Sequence, residues 1–255
     1  MTNQPEIIPL PSEGHRGLDR YSVALLSADS FAGLLDGFHR VAAAHPDGRC
    51  FLTLDDLNQC RYTSGHAAGK HGFDDEVDYP DDDTPEAIAD YEAALFAASL
   101  EALRNPAHAV AWQDLPGTLA TEPEDIDALV RLNREPDLLL DDRHVVQCLP
   151  TDADEDLLAN LPNGYFTSDW DPFQCQAVVE RLCGRHGYAL LGIGASLLGF
   201  LSTTDAERDT AALIGDLQAL YGQPENPAWA ELAEVAERSP VLLLGYTEDF
   251  AALTE

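Results

Sequence analysis

Blocks of apolar and polar positions along the chain predict alternating strands and helices. Residues 21–28 (YSVALLSA) form a short apolar run of strand type, and residues 50–54 (CFLTL) form a second. Between them Phe31, Leu34, Leu35, Phe38 and Val41 recur at helical spacing, and the stripe ends near His45 and Pro46. Strand, helix and strand in that order fit a βαβ unit, with an antiparallel arrangement left open. Residues 60–85 carry little apolar periodicity and many Gly, His and Asp, so they read as a long loop. Thr84 and Pro85 then start a helix with the stripe Ile88, Tyr91, Leu95 and Ala98. Thr121 to Glu124 has capping-box spacing ahead of Ile126, Leu129 and Val130.

The second half is more sharply punctuated. Residues 144–149 (HVVQCL) read as a strand, with a short acidic helix near 152–160. Asp171 and Pro172 open a helix whose stripe is Cys175, Val178, Val179, Leu182 and His186, and Gly187 ends it. Two apolar segments, 188–193 and 196–202, joined at Gly194 and Ala195, predict a β-hairpin. Thr204 to Glu207 is a further capping box, for a helix with Ala206, Thr210, Leu213, Ile214, Leu217 and Leu220 inward. A helix follows with Trp229, Leu232, Ala233 and Ala236 inward, then a strand over 241–246. The expected architecture is α+β: a single mixed or antiparallel sheet packed by helices, in one domain over 15–255. Two subdomains split near 116–123 are the alternative, and residues 1–14 read as a flexible N-terminal segment.

Charge changes the picture most. The chain of 255 residues has 46 Asp and Glu against 14 Lys and Arg, a formal charge of −32, and Lys70 is its one lysine. Such a field repels phosphate backbones and anionic membrane surfaces, so neither nucleic acid nor membrane is an expected partner. It attracts cations and basic proteins, or it reflects a host with salty cytoplasm. Within it, Asp74, Asp75, Glu76, Asp78, Asp81, Asp82 and Asp83 form a run with no basic residue between them. Mutual repulsion predicts an extended, solvated segment fit to dock a cationic partner. No secretory leader or membrane span is apparent. Five cysteines, an odd number, point to reduced thiols in a cytoplasmic protein, with Cys50, Cys148 and Cys175 buried.

Motifs of catalysis are incomplete. Asp152, Asp154 and Asp156 begin like a calcium loop, but Leu157 and Asn163 stand where that loop requires Gly and Glu. Cys50, Cys60, His66 and His71 have zinc-ligand chemistry without the tight first pair, so no metal or cofactor is expected. Gly192, Gly194, Ser196 and Gly199 miss both the dinucleotide fingerprint and the nucleophile elbow. Cys183 and His186 lie three apart on one helix, as a thiolate–imidazole pair would, although a helix-end role accounts for His186. Asp169 and Asp171 flank Trp170 in an aromatic stretch with Tyr165, Phe166 and Phe173. That grouping suggests a cleft with two carboxylates beside an aromatic wall; a helix cap accounts equally for Asp171. The leading expectation is a non-enzymatic acidic protein of the inhibitor or immunity type, covering a cationic surface of a basic partner. A hydrolase with a cleft around Asp169 and Trp170 is the alternative.

Overall fold

A computed structural model describes residues 4–11, 18–203 and 209–255. Among the described residues, seven strands form one mixed sheet in the order β1-β2-β4-β3-β5-β6-β7: β1 (Glu6–Pro9), β2 (Ser22–Ser27), β3 (Arg49–Thr53), β4 (His144–Leu149), β5 (Tyr188–Ile193), β6 (Leu197–Ser202) and β7 (Val241–Gly245). The helices around it are α1 (Phe31–Ala44), α2 (Leu57–Lys70), α3 (Pro85–Leu103), α4 (Pro123–Arg134), α5 (Pro172–His186), α6 (Thr210–Tyr221) and α7 (Ala228–Arg238). The α+β expectation and the hairpin near 188–202 are both present. Every neighbouring pair is antiparallel except β3 and β5, which run parallel with Leu52 opposite Gly192 and Thr53 opposite Ile193. That seam joins two antiparallel halves.

Local chemistry sets the element ends. Asp171 caps α5 by accepting from the Phe173 and Gln174 amides, both at 2.9 Å, while Gln174 reaches back to the Asp171 amide. Gly187 ends α5 in the left-handed region at φ 68°. The outer edge of β7 is closed by a side chain: Asn133 of α4 donates to the Leu243 carbonyl at 2.8 Å and accepts from the Leu243 amide at 2.8 Å. The amide thus satisfies Leu243 on the edge of the sheet as a neighbouring strand would. One apolar core runs through the sheet and helices. Leu115 and Leu119, in the stretch around the suggested split near 116–123, are buried in it.

Several sequence expectations are corrected. β2 and β3 do not pair, because β4 lies between them, so the βαβ unit is split. Residues 6–9 of the N-terminal segment form strand β1, antiparallel to β2; residues 1–3 and 12–14 lie outside the described set. The capping box at Thr204 to Glu207 and the inward Ala206 also lie outside it, and Asp209 caps α6. The box on α4 is Glu122 with Asp125, one residue later than expected. The buried face of α3 is Phe96, Ser99 and Leu103 rather than the Ile88 stripe. Residues 57–70 are helix α2, not loop. Its buried positions are Cys60, Thr63, Ser64 and Ala67, which are too small and polar to make an apolar stripe. Gly65 and Gly69 obscure it further, each costing about 1 kcal/mol against alanine in a helix.

The cysteine expectation also changes. Cys50 and Cys148 face each other across β3 and β4 and form a disulfide, each half-buried; Cys60, Cys175 and Cys183 are free. The expectation of five reduced thiols fails at this pair. No helix among the described residues is long and apolar enough to cross a membrane.

Cys60 and Cys175 are buried, and burial raises their thiols, Cys60 to about 12. Thiol labelling of the unreduced protein should therefore give no fast-reacting cysteine when native and three labels when unfolded. Five labels in the unfolded, unreduced protein would show that the bridge between Cys50 and Cys148 does not form.

Candidate functional site

Strands β3, β5 and β7 run in one direction, since β6 is antiparallel to both of its neighbours. Their carboxyl ends therefore emerge together, and crevices of open sheets tend to form at such ends. A cleft of about 460 Å³ lies there, lined by Thr63, Phe166, Asp169, Ser196, Glu248 and Asp249 among others.

Beneath it is a buried polar knot. Asp55 follows β3, is 7% exposed, and accepts from the Ser196 amide at 3.0 Å, while its carbonyl accepts from the Ala195 amide at 3.4 Å. Its other carboxyl oxygen has no partner and lies against Gly194, where a Cβ would come within 1.4 Å. Only glycine fits at 194. Gly192 is constrained likewise, since a Cβ there would sit 2.7 Å from the Leu52 carbonyl oxygen across the seam. Asn163 ties the knot together: it donates to the Gly194 carbonyl at 3.2 Å and to Cys60 Sγ at 3.0 Å, and accepts from the Thr63 hydroxyl. The Tyr246 hydroxyl reaches the carbonyls of Gly194 and Ala195 at 2.8 and 2.7 Å. Burial pushes the Asp55 carboxyl up to about 7. Asp56, beside it, caps α2 with φ 25°, in the left-handed region that a residue with a side chain rarely adopts.

Asp169 is 8% exposed at the cleft wall and accepts from the amides of Phe166 at 3.3 Å and Glu248 at 3.4 Å. Burial raises its carboxyl, and the Glu248 carboxylate adds to that. Trp170 does not form the expected aromatic wall. It is fully buried and packs on Tyr221 at 5.4 Å between ring centres. Phe166, 53% exposed, takes its place at the cleft. Asp171 is turned to the cap of α5.

The structure does not bring Cys183 and His186 into a pair. Cys183 Sγ lies 3.5 Å from Asp154, and burial followed by that carboxylate raises the thiol to about 12. His186 lies 2.7 Å from Asp216, which also takes Arg181 at 2.7 Å and Arg185 at 3.7 Å. Burial works to raise the Asp216 carboxyl, and its pairing with Arg181 and His186 outweighs that and lowers it. Asp154 and Asp156 are likewise turned to structure: Asp154 accepts from the Leu190 amide at 2.9 Å, and Asp156 pairs with Arg104 at 2.6 Å. The zinc-type residues are dispersed, with Cys50 in the disulfide and Cys60 under Asn163. Among the described residues no three His, Cys, Asp or Glu side chains group as metal ligands would.

The acidic run follows α2. Phe73 anchors its start, 2% exposed and 5.6 Å from the Phe173 ring. Asp74 is half-buried and Asp75, Glu76, Asp78, Asp81, Asp82 and Asp83 are exposed. Among the described residues none of the seven is in an ion pair. Acidic side chains are also exposed on other elements, such as Glu124 and Asp127 of α4 and Glu234 and Glu237 of α7.

The cleft thus offers one carboxyl raised by burial, Asp169, beside the acids Glu248 and Asp249. Among the described residues no histidine lines it, and burial raises the Cys60 thiol beneath it to about 12. A carboxyl raised by burial is suited to donate a proton. No family model, curated protein or solved structure matches the chain.

The buried Asp55 carries a pH signature. Its folded-state pKa, about 7, lies above the ordinary aspartate value of 3.8, so folding favours the protonated form. That stabilisation is complete below about pH 4 and is lost as pH rises to 7, on the order of 4 kcal/mol in all. Asp55→Asn removes the dependence. Denaturant unfolding of both proteins from pH 4 to 8 should show the variant gaining on the parent steadily across that window. A stability difference that stays flat with pH would mean that Asp55 is not a buried, protonated acid.

Proposed function

We propose that this chain is a non-enzymatic acidic protein that binds a basic protein partner and covers its cationic surface, in the manner of an inhibitor or immunity protein. The observation that supports it is the run from Asp74 to Asp83, whose exposed carboxylates form no ion pair among the described residues. Uncompensated charge of one sign speeds encounter with the opposite sign and disfavours phosphate and anionic lipid. The incomplete catalytic motifs agree with this reading. Where the protein acts turns on the Cys50–Cys148 bridge: a stable bond fits an oxidising compartment, and reduced thiols fit the cytoplasm.

A second reading rests on Asp169 alone. A carboxyl raised by burial at the wall of a cleft is suited to donate a proton, which favours a hydrolase. On that reading Asp169→Asn abolishes turnover of a cleaved ester, peptide or glycoside, whereas the binder reading has no turnover to lose.

The binder reading is tested by capturing a partner from the native host at low salt and measuring its association kinetics. The on-rate should fall steeply as the Debye length shrinks from about 30 Å at 0.01 M salt to about 8 Å at 0.15 M. Changing Asp74, Asp75, Asp78, Asp81, Asp82 and Asp83 to Asn should lower the on-rate more than it raises the off-rate. Neutralising Glu124, Asp127, Glu234 and Glu237 on α4 and α7 should change it little. Equal effects of the two sets would assign the acidity to the surface at large, as in a salt-adapted host, and an on-rate blind to salt would refute the reading.

A further inference from the structure

The outward face of α2 has an unusual composition. Tyr62, Gly65, His66 and Gly69 fall at i, i+3, i+4 and i+7, so they share one side of the helix, and all four are exposed. Glycine is a poor helix former, and no internal packing asks for it here. A Cβ on Gly65 would meet nothing within 4 Å, and one on Gly69 would meet only an Asp74 carboxylate oxygen at 4.0 Å. The two glycines therefore leave a shallow open floor of helix backbone.

Beside that floor runs a chain of rings. The His66 ring lies 4.4 Å from Tyr62 and 5.0 Å from Tyr165, and Tyr165 lies 5.2 Å from Phe166, all between ring centres. Tyr62 and Phe166 are 59% and 53% exposed, although large apolar rings in this protein are otherwise mostly buried. The floor and the segment from Tyr165 to Thr167 enclose a groove of about 680 Å³. Lys70 lines it too, with its ammonium donating to the Tyr165 carbonyl at 2.9 Å, which fixes the aromatic segment against the helix.

Both ends of the groove are acidic. At one end Gly69 abuts Asp74, the first residue of the acidic run. At the other, Phe166 is shared with the cleft that holds Asp169, Glu248 and Asp249. Exposed aromatic rings flanked on two sides by carboxylates are complementary to one kind of side chain above others. A guanidinium stacks flat on a ring face and pairs in its plane with a carboxylate, whereas an ammonium does the second far better than the first.

We infer that this groove, between α2 and the segment from Tyr165 to Thr167, is the docking surface for an arginine-rich segment of the partner protein. Its guanidinium groups stack on the rings of Tyr62, His66, Tyr165 and Phe166, and the acids at the two ends pair with the flanking cations. The glycines at 65 and 69 allow the segment's backbone to lie close to the helix. The inference rests on the proposed basic partner, and it adds where that partner docks and which cation it presents.

The test uses the full chain and two labelled peptides of about 12 residues, one with alternating arginines and one with lysines at the same positions. At about 0.15 M salt the arginine peptide should bind on the order of 5-fold more tightly than the lysine peptide. The double variant Tyr62→Ala with Phe166→Ala should bring the two affinities within about 2-fold of each other, while the acidic run still holds both peptides weakly. Gly65→Gln, which keeps every ring and fills the floor, should do the same without lowering Tm. Equal binding of both peptides by the parent protein, or an arginine preference that survives in both variants, overturns the groove and leaves the acidic binder standing. Failure of both peptides to bind, even at about 0.01 M salt, overturns the groove and the basic-partner reading together.

Discussion

The parallel contact between β3 and β5 is the constraint on which the rest of this molecule depends. It is short, with Leu52 opposite Gly192 and Thr53 opposite Ile193, yet among the described residues it is the strand pairing that joins the antiparallel set β1, β2, β4 and β3 to the antiparallel set β5, β6 and β7. Parallel pairing brings the carboxyl ends of both strands out on the same edge. From one end the chain enters Asp55, Asp56 and α2; from the other it turns at Gly194, Ala195 and Ser196 into β6. The two glycines of β5 and its turn are what let these ends approach. A methyl group at 192 would meet the Leu52 carbonyl, and one at 194 would meet the Asp55 carboxyl. Asp55 then clasps the Ser196 amide, and Asn163 and Tyr246 clasp the carbonyl of Gly194.

That clasp holds the outer surface in place. Asp55 and Asp56 set the start of α2, and Cys60 and Thr63 on its inner face bond to Asn163. The opposite face of the same helix is then presented outward, with Tyr62, Gly65, His66 and Gly69 in line. Asn163 also begins the segment that carries Tyr165, Phe166 and Asp169, so cleft and groove hang from one buried amide. The polar knot costs stability as pH rises, since burial of Asp55 favours the protonated acid.

Much of the architecture was legible in the sequence because its elements carry strong local punctuation. Asp171, Pro172 and Gly187 bracket α5, and the glycine turn marks the hairpin of β5 and β6. What was not legible shares a cause. α2 buries Cys60, Thr63, Ser64 and Ala67, so its inner face has helical spacing without apolar contrast. Reading it as loop hid the floor of the groove and left His66 and His71 to be weighed as metal ligands. Trp170 was placed at a cleft because its neighbours are acidic, but a large ring between two carboxylates can turn inward when one of them caps a helix, as Asp171 does. The Cys50–Cys148 bridge depends on strand register across 98 residues, and spacing alone does not encode it. The acidic run was visible from composition; its position beside the aromatic face of α2 was not.

The central claim is that the acids and the exposed rings form one surface around α2. Hydrogen–deuterium exchange with and without the arginine peptide at about 0.15 M salt tests it directly, because exchange reports protection segment by segment. Bound peptide should slow exchange over residues 62–75 and 164–168 together, and leave α4 and α7 as they were. Protection spread evenly over the acidic faces of the molecule, or confined to residues away from α2, would contradict the claim.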